Sequence, residues 1–147
     1  MGEESIYGRH NCKAMLLGCK DFRFPKDLIR HMEDLGFESD FDPVLLAGGA
    51  KNLSSPSKPC RFETVLDEIE SSIKLHEIDV VILSTHTKCG AVDKKFENIG
   101  MEIEFHKAEL DKAAEVVAEK FPSLKIIKIF AYYEGEKGNE KPKYMVL

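Results

Sequence analysis

Runs of apolar residues recur along the chain at the length of β-strands. The first run, residues 12–17, does not alternate between apolar and polar positions, which indicates a strand buried on both faces. Residues 78–83 include the most uniformly apolar segment of the chain and are predicted to form the central strand. Two further strands are predicted at residues 43–47 and 124–133, and residues 144–147 are predicted to return as a fifth, antiparallel strand.

Apolar residues at helical spacing lie between these runs and predict three amphipathic helices. The first begins at Pro25 and ends at Gly36, because proline is favoured in a first helical turn and glycine just past a helix end. The second contains residues 62–73 and the third residues 103–121. The remaining predictions are a loose arm at residues 1–11, a loop at residues 50–60, and a short helix that opens at residues 90–96 and is broken near Gly100.

Strands that alternate with helices predict an α/β fold: a mostly parallel, doubly wound sheet with helices on both faces and a C-terminal antiparallel strand. The chain shows no internal repeat or interdomain linker, so its 147 residues are expected to form a single domain. Ligands of such sheets bind outside the carboxyl ends of the strands, at the point where the strand order reverses. If the first and third strands are neighbours, the residues that follow them meet at that point.

Charge and composition exclude several classes of function. A net charge of −5 gives no support to nucleic-acid binding or to an anionic membrane surface as a partner. No apolar run approaches the ~20 residues of a membrane helix, and the acidic residues 1–4 lack the apolar region of a signal peptide. Four cysteines are too few for a disulfide scaffold at this length, so we expect a cytoplasmic protein with reduced thiols.

Metal-ligating side chains follow two of the predicted strands. His86 and Cys89 lie three residues apart after the central strand, and Cys19 follows the first strand. Two thiolates and one imidazole suit Zn²⁺, and three protein ligands leave a fourth position for water. Cys89 also precedes Gly90 and a predicted helix start, where backbone amides and the helix dipole would favour its thiolate.

Asp21 and Arg23 follow Cys19 at intervals of two residues. One interpretation is a solvated surface ion pair, which contributes little to stability. Beside a metal, Arg23 would hold Asp21 in a bidentate pair, and Asp21 would accept a hydrogen bond from zinc-bound hydroxide. Without that restraint Asp21 would itself occupy the fourth zinc position. We therefore predict catalytic roles for both residues.

The pairing of Cys-x-Asp-x-Arg at residues 19–23 with His-x-x-Cys-Gly at residues 86–90 resembles the β-class carbonic anhydrases. Ala47-Gly48-Gly49 is similar to the Gly-rich segment of that family after its second strand. The resemblance implies zinc-dependent, reversible hydration of carbon dioxide to bicarbonate by metal-bound hydroxide. It also implies a homodimer of α/β subunits with the site near the interface. The chain contains no glutamine, so the substrate-binding glutamine of one branch of the family is absent.

Several further residues receive predicted roles from patterns that are less specific than the two motifs. Phe22 and Phe24 are predicted in the core or a pocket wall, and an apolar wall suits a small uncharged substrate. The simplest role of Gly48-Gly49 is a tight turn, with phosphate binding as an alternative. The residues predicted to contact substrate are Phe22, Gly48, Gly49 and Gly90. Cys12 and Cys60 are interpreted as structural or incidental. Four histidines are predicted to lie on the surface: His10, His31, His76 and His106. One of them could shuttle protons, and the sequence does not identify which.

Other functions remain open on the same residues. One is a catalytically silent zinc-binding protein of this fold, which keeps the metal for structure or sensing. Another is a hydrolase of a related small molecule such as carbonyl sulfide or carbon disulfide. A thiol redox protein is disfavoured because the chain has no Cys-x-x-Cys motif.

Overall fold

The computed structural model describes residues 5–147, so the acidic residues 1–4 of the predicted N-terminal arm lie outside the described residues. A single 3₁₀ turn at Ile6–Gly8 precedes the sheet. The strands are β1 (Ala14–Gly18), β2 (Phe41–Leu45), β3 (Val80–His86), β4 (Lys125–Glu134) and β5 (Lys141–Val146). The helices are α1 (Pro25–Asp34), α2 (Lys51–Ser54), α3 (Pro59–His76) and α4 (Ile99–Lys120).

The five strands form one sheet in the order β2-β1-β3-β4-β5. The strands β2, β1, β3 and β4 run parallel, and β5 is antiparallel to β4. The predicted α/β fold with its C-terminal antiparallel strand is therefore confirmed. Because β1 and β3 are neighbours while β2 lies on the far side of β1, the topological switch point falls between the carboxyl ends of β1 and β3.

Both faces of the sheet are covered by helices, which explains why β1 is apolar throughout. Alternate residues of a strand point to opposite faces. Ala14 and Leu16 pack in a cluster with Leu28 and Met32 of α1. The intervening residues Met15 and Leu17 belong to the larger core cluster on the other face, which takes residues from three helices. These are Leu53 of α2, Val65 and Ile69 of α3, and Leu110, Ala113 and Val117 of α4.

The central strand extends further than its apolar pattern predicts. Strand β3 remains paired with β4 up to the pair His86 and Ala131. The polar residues Ser84 and Thr85 are buried within it. His86 is therefore the last residue of a central strand, which fixes its backbone more firmly than a loop would.

The prediction of a short helix at residues 90–96 is wrong, because residues 90–98 form turns, bends and irregular loop. The helix begins instead at Ile99, and Asn98 caps it by accepting a hydrogen bond from the Met101 N–H at 2.9 Å. Gly100 lies in the first turn of α4 and does not break it.

The predicted loop at residues 50–60 contains the short helix α2. The Asn52 side chain ties this helix back to the preceding segment by donating to the carbonyl groups of Ala47 and Gly49 at 2.9 and 2.8 Å. Side-chain hydrogen bonds of this kind are invisible to apolar periodicity, which is why the sequence pattern predicts only a loop.

The prediction that His106 lies on the surface is also wrong, since the residue is 2 % exposed. It occupies the buried stripe of α4 with Leu110 and packs its ring against Phe130 at 5.0 Å between centroids. Burial lowers the pKa of His106 to about 4, so the ring is neutral at pH 7. Among residues 5–147, no helix combines the length and apolar character that crossing a membrane requires.

Candidate metal centre

The carboxyl ends of β1 and β3 bring Cys19, His86 and Cys89 together. All three residues are buried, and one ligand atom from each lies within 4.8 Å of the others. The two sulfur atoms are 4.0 Å apart, and both thiols are free. Two donors of a tetrahedral zinc with Zn–S bonds of ~2.3 Å are about 3.8 Å apart, so the spacing of the sulfurs suits that metal.

His86 presents an unpartnered lone pair to this cluster. Its Nδ1 lies 2.7 Å from the carbonyl oxygen of Thr87, which can only accept, so Nδ1 carries the proton. Its Nε2 is buried and finds no hydrogen-bond partner among the described residues. A buried polar atom without a partner is costly unless it binds something. The tautomer and the orphaned Nε2 are both those of a metal-ligating histidine.

The two thiols share one hydrogen bond and do not ionise equally. The bond from Cys89, with a further one from the Gly48 N–H at 3.3 Å, lowers the pKa of Cys19, although burial opposes the shift. The same bond, and then burial, raise the pKa of Cys89. The predicted help of a helix dipole at Cys89 is absent, because residues 90–98 are not helical; the backbone N–H of Ala91 supports its thiolate instead.

Asp21 and Arg23 form a bidentate pair beside the cluster. Arg23 donates from Nε to Oδ1 at 2.9 Å and from Nη2 to Oδ2 at 2.5 Å. Arg23 also donates to the carbonyl oxygen of Lys88 at 3.2 Å, which ties the pair to the turn before Cys89. The Asp21 side chain is only 14 % exposed, and its Oδ2 lies 3.7 Å from Nε2 of His86. The Asp21 carboxylate is thus largely shielded from solvent, whereas the Arg23 side chain is 42 % exposed.

Arg23 also shifts the protonation equilibrium of Asp21. Its hydrogen bonds lower the pKa of Asp21 to about 2, against the opposing effect of burial. Asp21 is ionised at neutral pH, as an unperturbed aspartate also is, and acts only as a hydrogen-bond acceptor.

Gly48 and Gly49 form a tight turn that passes close to the end of β3. Both have positive φ, 90° and 53° respectively. A Cβ atom on Gly49 would lie 2.3 Å from the Ser84 carbonyl oxygen, so no larger residue fits there without a backbone shift. The turn directs the Gly48 N–H at the Cys19 sulfur. Gly90 is exposed, and a Cβ atom there would meet nothing within 4 Å.

The two phenylalanines of the first motif lie in different environments. Phe24 is buried, and its ring packs in tilted contact with His86 at 4.3 Å between centroids and with Tyr133 at 4.9 Å. Phe22 is 91 % exposed, so its predicted place in the core is wrong. Its contact with substrate stays a prediction, as do the substrate contacts of Gly48, Gly49 and Gly90.

Glu102 is a site residue that sequence reasoning misses. It is buried in the first turn of α4, where it accepts a hydrogen bond from Thr87 Oγ1 and another from the Lys88 N–H at 3.3 Å. Because Thr87 in turn holds Nδ1 of His86, the Glu102 carboxylate fixes the turn that joins two candidate ligands. The available signal is a carboxylate at helical spacing with the buried residues Leu110 and Val117 of α4. Tyr133 is a second omission; its hydroxyl donates to the Arg23 carbonyl oxygen.

Two cavities flank the cluster. One of about 540 Å³ reaches Cys89, and its wall combines the cationic residues Lys88, Lys94 and Lys95 with the apolar Phe96 and Ile99. The other, of about 330 Å³, lies between Arg23, Phe24 and Tyr133. The cluster is thus buried yet adjacent to space that a small molecule can enter.

The fold and the cluster define an α/β protein with two cysteines and a histidine at the switch point of its sheet. Residues 9–138 match the family model described as "Putative carbonic anhydrase". The chain therefore belongs to this carbonic anhydrase family, and the resemblance seen in the two motifs is confirmed.

Two bacterial relatives and two solved structures are similar to this chain. An uncharacterized protein of Rickettsia bellii (strain RML369-C) is 31 % identical over 140 residues, which cover 92 % of this chain and 85 % of that protein. The uncharacterized protein RC0076 of Rickettsia conorii (strain ATCC VR-613 / Malish 7) is 29 % identical over 140 residues, 92 % of this chain and 75 % of that protein. The β-carbonic anhydrase CafA of Aspergillus fumigatus aligns with a TM-score of 0.47 and 18 % identity over 95 % of this chain and 77 % of that one. A carbonic anhydrase from Glaciozyma antarctica aligns with a TM-score of 0.45 and 20 % identity, covering 88 % of this chain and 80 % of that one.

Proposed function

We propose that this protein is a zinc-dependent carbonic anhydrase that catalyses the reversible hydration of carbon dioxide to bicarbonate. The observation that carries the proposal is the buried, unpartnered Nε2 of His86, which converges with the sulfurs of Cys19 and Cys89. This donor set suits zinc. The family match of residues 9–138 supports the choice of reaction.

Cys19, His86 and Cys89 would hold the zinc and leave one coordination position for solvent. Zinc in such a site supplies a Lewis acid that makes water a nucleophile near neutral pH. Glu102 and Thr87 keep the His86 ring in the tautomer that offers Nε2. The chain's own contribution at this point is therefore to hold the three donor atoms close together, with the His86 ring already oriented.

Asp21 and Arg23 carry the orienting step in this proposal. The ionised Asp21 lies beside the cluster and would accept a hydrogen bond from the attacking water, which fixes the direction of its lone pair. Arg23 holds both carboxylate oxygens and so keeps Asp21 from taking the solvent position for itself.

The larger cavity suits both substrate and product. Phe96 and Ile99 give an apolar wall for uncharged carbon dioxide, while Lys88, Lys94 and Lys95 give a positive potential that attracts bicarbonate. Because these lysines are exposed, their attraction is screened by salt. The cytoplasmic location predicted from the sequence has no bearing on this mechanism and stays a prediction.

Stopped-flow measurement of carbon dioxide hydration by the zinc-loaded protein tests the proposal. We expect a rate above the buffer background that falls on removal of zinc by a chelator and returns when zinc is restored. If the zinc-loaded protein, with stoichiometric zinc bound, hydrates carbon dioxide no faster than the buffer at neutral and alkaline pH, the proposal is contradicted. That result supports the catalytically silent alternative. Replacing carbon dioxide by carbonyl sulfide or carbon disulfide in the assay tests the hydrolase alternative, since the same nucleophile can attack either molecule.

A homodimer is the second part of the proposal. Phe22 is almost fully exposed within the first motif. Ile99, which lines the larger cavity, and Met101, two residues further along α4, are also exposed. Large apolar side chains in such positions are typical of an interface that closes a site against water.

Light scattering is expected to give twice the chain mass of 16.6 kDa. Phe22→Ser should raise the dissociation constant, whereas Leu75→Ser, an exposed apolar residue on α3, should not. A monomer at micromolar concentrations with zinc bound would contradict the dimer.

A further inference from the structure

A second group of metal-ligating side chains lies at the opposite end of the sheet. Cys12 comes just before β1, Asp42 lies in β2, and His76 is the last residue of α3. One ligand atom from each lies within 4.8 Å of the others. Cys12 and Cys19 are separated by the extended strand β1, about 23 Å at ~3.3 Å per residue, so this group is independent of the first centre.

Backbone and side-chain contacts hold the three residues in place. The Cys12 N–H donates to the His76 carbonyl oxygen at 3.0 Å, which joins the start of β1 to the end of α3. Nδ1 of His76 lies 2.7 and 2.9 Å from the two carboxylate oxygens of Asp42. Ser72 donates to the same carboxylate at 2.8 Å and fixes its orientation. The Cys12 thiol has a weak bond to the Ala14 carbonyl oxygen, at 3.5 Å.

We propose that Cys12, Asp42 and His76 form a second site for a divalent transition-metal ion, with Zn²⁺ as the best-suited cation. A thiolate, a carboxylate and an imidazole are the donor types that zinc combines, whereas calcium and magnesium require oxygen donors. A cavity of about 220 Å³ opens on all three residues, so water has access to complete the coordination.

The electrostatic environment of this site favours a cation. His76 ends a helix of 18 residues, and the carboxyl end of a helix carries a partial negative charge. Asp42 adds a carboxylate within the group. The cationic Arg9 also lines the cavity, but its guanidinium is directed at Asp40, 3.5 Å away.

Metal binding requires only a small local movement. The cation would replace the proton between Nδ1 of His76 and Asp42, and two donors of a tetrahedral zinc stand about 3.3 Å apart instead of 2.7 Å. The His76 side chain is 43 % exposed, so its ring has room to move by this amount. Binding also displaces the thiol proton of Cys12, and zinc affinity should therefore increase with pH.

The test is a zinc titration of the metal-stripped, full-length protein in competition with a chelator. The wild type is expected to bind two equivalents of zinc. Cys12→Ser should lower the affinity of one zinc equivalent by at least about tenfold and leave the affinity of the other unchanged. Loss of a ligand should lower zinc affinity at least as much as loss of a hydrogen bond to a ligand does. Cys60→Ser, an exposed cysteine on α3, is the matched control and should retain both equivalents.

His76→Gln provides a second variant and is expected to lose the same equivalent. Asp42→Asn is a poorer choice, since Asp42 also anchors Ser72 and its loss can destabilise the fold. Two results would overturn the proposal: a wild type with no zinc equivalent beyond the one lost in Cys89→Ser, or a Cys12→Ser protein with wild-type affinity at both sites. A third result separates the two sites. If the wild type binds a single equivalent of zinc, which Cys12→Ser loses and Cys89→Ser keeps, this site is supported and the proposed carbonic anhydrase centre is contradicted.

Discussion

Cys89→Ser is expected to remove one zinc equivalent and to reduce carbon dioxide hydration more than about 100-fold. A serine hydroxyl is a far poorer zinc ligand than a thiolate, and the two remaining donors do not form a closed three-ligand set. The buried sulfur of Cys89 lies 4.0 Å from that of Cys19, so its replacement also changes the surroundings of the second proposed ligand. Cys19→Ser should have the same effect, because it removes the other thiolate of the proposed ligand set.

The measurement is elemental analysis together with the stopped-flow assay. Cys60→Ser controls for the cysteine-to-serine change, because Cys60 is exposed and belongs to neither cluster of candidate ligands. Thermal unfolding of each variant separates loss of metal from loss of fold. If Cys19→Ser and Cys89→Ser both kept the zinc content and zinc affinity of the wild type, the assigned ligands would be wrong.

The candidate ligands could be found from sequence because topology does most of the positioning. Cys19 and His86 follow or end strands whose apolar character is plain, and the neighbouring placement of β1 and β3 then brings them to one edge. Chain connectivity in a doubly wound sheet allows few other arrangements. A short motif and a strand pattern thus carry enough information to locate a buried cluster without knowledge of side-chain contacts.

Glu102 and His106 could not be assigned in this way, since both depend on tertiary contacts of α4. Both residues lie on the buried stripe of that helix. The repeat of apolar residues along α4 does not mark this stripe clearly, because apolar residues such as Met101 are exposed. The predicted helix at residues 90–96 fails for a related reason. A local apolar pattern has no access to the Asn98 cap, which determines where the helix begins.

Arg23→Ala is expected to retain zinc yet lower carbon dioxide hydration at neutral pH by roughly 10- to 100-fold. Without the two guanidinium bonds, Asp21 is free to move the short distance from its position 3.7 Å from His86 and occupy the solvent position. Its pKa should also rise from about 2 towards the ordinary value near 4, although the carboxylate stays ionised at neutral pH. The loss should be smaller at alkaline pH, where hydroxide competes with the carboxylate. Arg23→Lys keeps the charge but not the planar fork and should fall between the wild type and Arg23→Ala.

Asp21→Asn separates the two roles of this pair. It keeps a side chain of the same shape and leaves all three zinc ligands intact, so zinc content should not change. Its amide has no charge with which to orient a water molecule, and activity should fall at every pH instead of mainly at neutral pH. If the wild type is active and both Arg23→Ala and Asp21→Asn match its rate and pH profile, the proposed catalytic roles are wrong. The two residues are then an ordinary ion pair. The double variant Arg23→Ala/Asp21→Asn tests whether Asp21 closes the site. If Asp21 causes the loss of activity in Arg23→Ala, the activity of the double variant should no longer recover at alkaline pH.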